Sequence, residues 1–162
     1  MGWIRKTFGV GRIAERAGPV EQKTPKTMKP PAGVRGSLQI RHVDAGSCNG
    51  CEVEISGAFG PVYDAERFGA RLVASPRHAD ALLVTGVVTR NMAGPLRTTL
   101  DATPRPRLVI ACGDCALNRG VFEDAYGVVG AVGEVVPVEV EIPGCPPTPS
   151  QIIAALRSVT GK

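Results

Sequence analysis

Between residue 37 and the C-terminus, short apolar runs alternate with helical stretches, and this alternation narrows the possible folds more than any other feature. Runs at 37–43, 71–74, 81–84, 108–112 and 135–142 read as strands, those at 81–84 and 108–112 as continuously apolar and that at 135–142 as alternating. Between them, 52–59, 63–68, 91–102 and 150–159 read as helices, the last introduced by Thr148-Pro149-Ser150-Gln151, which supplies a cap. Strand and helix in regular succession imply parallel strands joined by crossovers, with helices on both faces of the sheet. The expected fold is therefore α/β: a flavodoxin-like, doubly wound domain with a mainly parallel sheet. Ligands of such sheets sit beyond the carboxyl ends of the strands, where the loops converge.

The five cysteines meet that demand. Cys48 and Cys51 follow the first strand, Cys112 and Cys115 follow the run through Ile110, and Cys145 follows the strand that ends at Ile142. Cys48-x-x-Cys51 and Cys112-x-x-Cys115 resemble zinc-binding pairs, but their separation far exceeds the usual spacing of about 15–20 residues. A zinc-stabilised interaction module stays open as a reading of a different class. A thioredoxin-like dithiol at Cys48 and Cys51 would leave the other cysteines unexplained. Pro143-Gly144-Cys145-Pro146-Pro147 points to iron-sulfur chemistry, because Cys followed by Pro is common at such sites and the ring stiffens the loop.

Four ligands from five thiols leave one over. Cys112 ends an apolar strand, where a thiol serves as a small buried hydrophobe. Cys115 lies in Gly113-Asp114-Cys115-Ala116, a turn entering a helix whose N–H groups can face cluster sulfurs. The expected ligands are Cys48, Cys51, Cys115 and Cys145. Glycines flank them, at Gly46, Gly50, Gly113 and Gly144.

At 162 residues the chain has room for one domain with a core that needs no disulfide staples. No apolar run approaches the roughly 20 residues of a membrane span. Residues 1–36 carry eight Lys or Arg against two Glu and become Pro/Lys-rich, so they are expected to form an extended basic arm preceding a cluster-binding α/β domain at 37–162. Trp3 and Phe8 are its candidate anchors on a partner or a membrane-facing surface. No zinc-finger spacing, RNP-type strand or Arg-rich repeat accompanies this charge, which argues against nucleic acid as a partner. The start of the chain lacks the apolar core of a signal peptide, so the expected compartment is cytoplasmic and reducing, where cysteines argue for metal before disulfide.

The motifs between Ser37 and the end resemble a known family. Val84-Thr85-Gly86-Val87-Val88-Thr89-Arg90-Asn91-Met92-Ala93-Gly94-Pro95-Leu96-Arg97, then Gly113-Asp114-Cys115-Ala116, Val136-Pro137-Val138 and Pro143-Gly144-Cys145-Pro146-Pro147-Thr148 are similar to the small cluster-bearing subunit shared by respiratory complex I and NiFe hydrogenases. The resemblance implies one 4Fe-4S cluster and supports Cys115 over Cys112. Complex I subunits typically pair adjacent cysteines. Cys48-Asn49-Gly50-Cys51, and the segment Gly120 to Tyr126, look like membrane-bound hydrogenases of the formate hydrogenlyase and energy-converting type, group 4.

By this resemblance the chain is an electron-transfer subunit of an oxidoreductase complex, with its cluster nearest the catalytic centre and no catalysis of its own. Its implied partners are a large catalytic subunit, a ferredoxin-like iron-sulfur subunit and integral membrane subunits, and its place is the cytoplasmic face of the cell membrane, held peripherally through them. Electron transfer to quinone, as in complex I, is the alternative. No Gly-x-Gly-x-x-Gly turn marks a dinucleotide site. Glu54, three residues after Cys51, matches an acid of related subunits and is the candidate for proton transfer; a plain N-terminal helix acid is the other reading. His42 and Asp44 are secondary candidates for redox-linked protonation. Arg90 and Arg97 are candidates for pairing with partner carboxylates or for an exposed helix face.

Overall fold

The computed structural model describes Lys26–Thr27 and residues 36–162. Nearly all of the expected basic arm, with Trp3 and Phe8, lies outside the described residues. The strands are β1 (Lys26–Thr27), β2 (Leu38–Asp44), β3 (Ala70–Leu72), β4 (Ala81–Thr85), β5 (Val88–Thr89), β6 (Leu108–Cys112), β7 (Val128–Gly130) and β8 (Val140–Ile142). The α-helices are α1 (Gly50–Ala58), α2 (Arg90–Ala102), α3 (Asp114–Asn118) and α4 (Pro149–Thr160).

The main sheet runs β1-β8-β6-β4-β2-β3, and every neighbouring pair is parallel except β1 with β8. Counted along the chain, its five parallel strands lie in the order 2-1-3-4-5, the flavodoxin-like arrangement. β4 and β6 are buried throughout, as their uninterrupted apolar runs require of central strands covered on both faces.

Alternate residues of each strand feed two cores. Leu38, Ile40, Leu83, Ile110 and Ile142 pack with Ile55 of α1 and with Ile152 and Leu156 of α4. Val43, Leu82, Val84, Val109 and Ala111 pack on the other face with Leu96 and Leu100 of α2 and Ala116 of α3. The parallel strands all end at one edge of the sheet, which therefore collects the loops carrying the cysteines.

Two expected elements are shorter than the sequence pattern implies. The run 135–142 contributes only β8; Val136 N donates to Val132 O in a turn at 3.0 Å, and Pro137 has no N–H for a ladder. The stretch 63–68 forms only a 3-10 turn, Ala65–Phe68, held between the left-handed residues Asp64 (φ 48) and Gly69 (φ 84). A two-stranded antiparallel sheet of β5 with β7 had no signal in the sequence, because its strands are two and three residues long.

Candidate functional site

The loop after β2 folds around one carboxylate. Asp44 Oδ1 accepts from Gly46 N at 2.9 Å and from Ser47 N at 2.8 Å, and Ser47 Oγ accepts from Asn49 N at 3.0 Å. Asn49 adopts φ 72, and α1 then begins at Gly50, which puts Cys51 on its first turn. Asp44 is thus occupied in shaping the Cys48–Cys51 loop. Gly86, just after β4, lies directly beneath this loop: its φ is +75, and a Cβ there would collide with Ser47 N.

The two other cysteine loops clasp each other. Asp114 N donates to Gly144 O at 2.8 Å, and Gly144 N donates to Asp114 Oδ1 at 2.8 Å. Gly113 N also reaches Ile142 O at 2.8 Å. Cys115 and Cys145 each follow a member of this reciprocal pair, so the clasp fixes one sulfur against the other. The peptide bond from Cys145 to Pro146 is cis. Gly113, at φ +95, faces Cys51, whose Sγ would lie 2.6 Å from a Cβ at that position. Only a residue without a side chain leaves that space.

The four expected ligands, Cys48, Cys51, Cys115 and Cys145, line one recess at this edge, together with Gly50, Gly86, Gly144 and Pro146. All of the five cysteines are free thiols, with Cys48 and Cys145 exposed, Cys51 half-buried, and Cys112 and Cys115 buried. Burial pushes the Cys115 thiol up, and the neighbouring Cys145, Cys48 and Cys51 sulfurs add to this; the Val121 N–H, which donates to Cys115, opposes it. Among the described residues no three His, Cys, Asp or Glu side chains are gathered tightly enough for a single metal ion. A cube of iron and sulfide is larger than one ion and spaces its thiolates accordingly.

Cys112 is fully buried, as expected, and its thiol neighbours that of Cys51. The proximity of the two thiols lowers Cys51 below the usual thiol range and pushes Cys112 well above it, with burial reinforcing the rise at Cys112. Its place as a buried thiol at the end of β6 agrees with the reading from sequence.

Sequence reasoning passed over Glu52. Thr85 Oγ1 donates to Glu52 Oε1, and His42 Nε2 lies 3.0 Å from Thr85 Oγ1. The three side chains form a chain from His42 through Thr85 to Glu52. Burial lowers the His42 pKa, outweighing the opposing pull of Glu52, whose Oε1 lies 3.6 Å away. Glu52 Oε2 is buried and has no hydrogen-bond partner among the described residues. The adjacency of Glu52 to Cys51 was the available signal. Glu54 is half-buried on the same helix, close enough for its charge to act on Cys51. Arg90 stacks over Tyr126 at 4.5 Å, and Arg97 is exposed on α2.

Comparison with known proteins converges on one group. The family model described as "NADH ubiquinone oxidoreductase, 20 Kd subunit" matches residues 48–159, which include all five cysteines. The chain is 45% identical over 128 residues to formate hydrogenlyase subunit 7 of Escherichia coli (strain K12), a match covering 79% of this chain and 50% of that protein. It therefore spans half the length of that relative. The "Probable membrane-bound hydrogenase subunit mbhJ" of Pyrococcus furiosus is 48% identical over 114 residues, covering 70% of this chain and 68% of that one. Among solved structures, a chain of the membrane-bound sulfane sulfur reductase, an archaeal respiratory membrane complex, superposes with TM-score 0.69 at 32% identity, covering 79% of this chain and 71% of that chain. A chain of an NAD+-reducing [NiFe]-hydrogenase shares the fold, with TM-score 0.55 at 20% identity over 70% of this chain and 85% of that chain.

Proposed function

This chain belongs to the NADH ubiquinone oxidoreductase 20 Kd subunit family, and from that premise we propose that it carries one 4Fe-4S cluster and passes electrons beside the catalytic centre of a group 4 type NiFe hydrogenase complex. Its relatives are subunits of hydrogenase and respiratory complexes. The observation that carries the cluster reading is the meeting of Cys48, Cys51, Cys115 and Cys145, delivered by three separate loops, in one recess. Four sulfur donors and largely apolar walls suit an iron-sulfur cluster, and the side-chain-free space at Gly113 admits one next to Cys51.

When bound, such a cluster supplies reversible one-electron chemistry. The chain supplies position and environment. The Asp114–Gly144 clasp sets the separation of Cys115 from Cys145, the Asp44 turn presents Cys48, and the Val121 N–H donates to Cys115 Sγ. Glu54 stands within electrostatic reach of Cys51 and is the proposed proton-transfer group toward the catalytic partner.

No helix among the described residues is long and apolar enough to cross a membrane. Attachment to the cytoplasmic face of the membrane through partners is part of the same proposal, as are a large catalytic subunit, a ferredoxin-like subunit and integral membrane subunits. The family model and the sulfane sulfur reductase likeness also favour a second reading, in which the catalytic partner reduces quinone or another acceptor instead of handling hydrogen.

Anaerobic purification of the native assembly separates these readings. Iron and acid-labile sulfide in equal amounts, with nickel and a large subunit co-purifying, are the expected result. Iron without nickel selects the second reading. Zinc, with no visible absorption, would overturn both and restore the interaction-module alternative.

A further inference from the structure

Ser150, Ile153 and Arg157 recur at helical spacing and so share one face of α4. Across a recess of about 250 Å³ from them stand Tyr63, Arg67 and Phe68, supplied by the loop after α1 and the 3-10 turn that follows it. None of these residues lines the cysteine recess. The floor is apolar, because Ile153 is buried and Phe68 packs against the same core cluster. At the rim Tyr63 is 37% exposed and Val62, beside it, is 84% exposed.

Two cations converge on one ring there. The Arg67 guanidinium stacks over Phe68 at 4.6 Å from its centroid and that of Arg157 at 4.7 Å. The ring face attracts each cation, but the two like charges gain nothing from each other. Neither pairs with a carboxylate among the described residues, and no acid lines the recess. Glu66, on the same turn as Arg67, faces Arg71 instead, at 4.0 Å. Arg157 Nε donates to Lys162 O at 2.8 Å, which steadies that guanidinium over the recess.

An apolar floor under two unpaired guanidiniums suits a ligand with an apolar body and a carboxylate. The recess is open, and smaller than the roughly 300–1,000 Å³ of sites that enclose a small molecule, so it fits a side chain carried by a larger partner. The basic segment 1–36 of this chain, with eight Lys or Arg against two Glu, has the wrong charge to fill it. Resting on the reading of this chain as one subunit of a larger assembly, we propose that the recess docks an acidic segment of another protein subunit. An apolar side chain of that segment sits on Phe68 and Ile153, and a neighbouring Asp or Glu carboxylate binds Arg67 and Arg157. The apolar contact anchors the segment, and the paired guanidiniums select its charge.

The test is photo-cross-linking within the native assembly, with p-benzoylphenylalanine in place of Tyr63 and the linked peptides identified by mass spectrometry. The expected product joins position 63 to one segment of another subunit that carries Asp or Glu within a few residues of the linkage. Linkage to this chain alone, to lipid, to a segment without an acid, or to nothing overturns the proposal.

Charge reversal tests the ion pairing separately. Arg67→Glu combined with Arg157→Glu is expected to lower retention of that subunit about tenfold at low salt, and reversing the cross-linked segment's acid to Arg restores it. Retention unchanged by the double reversal overturns the proposal. If the chain purifies from its native cells with no other subunit, the assembly reading fails together with the proposal; an intact assembly with no acidic segment at position 63 defeats the proposal alone.

Discussion

Asp114 joins two cysteine loops with one side chain. In Asp114→Ala the Gly144 N–H loses its acceptor, a cost of about 1–3 kcal/mol for a partly buried donor left unsatisfied. A lower melting temperature and reduced iron content are expected, measured by calorimetry and metal analysis. Gly113→Ala confronts Cys51 Sγ with a Cβ at 2.6 Å and forces φ +95 on a residue that resists it. Loss of visible absorption from an otherwise folded chain is the expected outcome. Glu54→Gln tests proton transfer separately: turnover of the complex slows while the cluster spectrum stays native, and loss of the cluster would defeat that role.

His42 carries a prediction in pH. Its folded pKa lies below 6.5, so between the folded and unfolded values the unfolded chain binds more protons, and stability falls as pH drops through that window. Thermal unfolding followed from pH 7.5 to 5.5 checks this, since His42→Gln removes part of the slope. Much of this residue-scale detail was legible in advance. The four cysteines that line the recess stood out by type and spacing, whereas the pairing of Glu52 with Thr85 did not, because the two residues lie on different elements 33 positions apart.

At the scale of elements, α4 is anchored where its sequence says it should be. Thr148 Oγ1 accepts from Gln151 N at 3.3 Å and Gln151 Oε1 accepts from Thr148 N at 2.8 Å, a capping box directly following the Cys145 loop. Thr148→Ala is expected to cost about 1 kcal/mol, seen as a shift in denaturant midpoint at constant slope. A fall in iron content alongside it would mean that the cap also steadies the Cys145 loop. The elements read correctly from sequence were those with long or continuous patterns: β2, β4, β6, α2 and α4. The run 135–142 misled because alternation of Val with polar residues resembles a strand, while Pro137 and the turn at Val132–Glu134 keep its first half out of the sheet.

Viewed as a whole molecule, the cysteine recess opens at the surface, where Cys48 and Cys145 are exposed. Val121, whose N–H donates to Cys115, is 82% exposed, and Tyr126, stacked against Arg90, is 86% exposed. Val121 thus places an exposed apolar side chain next to Cys115, at the rim of the cysteine recess. Val121→Asp is expected to weaken co-purification of the large subunit severalfold while leaving the cluster absorption of this chain intact.

The amino-acid sequence by itself determined the alternation of strands and helices, hence the doubly wound sheet, and the placement of every cysteine after a strand; these follow from local periodicity and from the rule that parallel strands end together. Tertiary structure alone decided which side chains touch at that edge: the clasp of Asp114 with Gly144, the chain from His42 to Glu52, and the thiol of Cys112 beneath Cys51. Those pairings depend on strand order and register, which bring together residues whose spacing along the chain carries no trace of their contact.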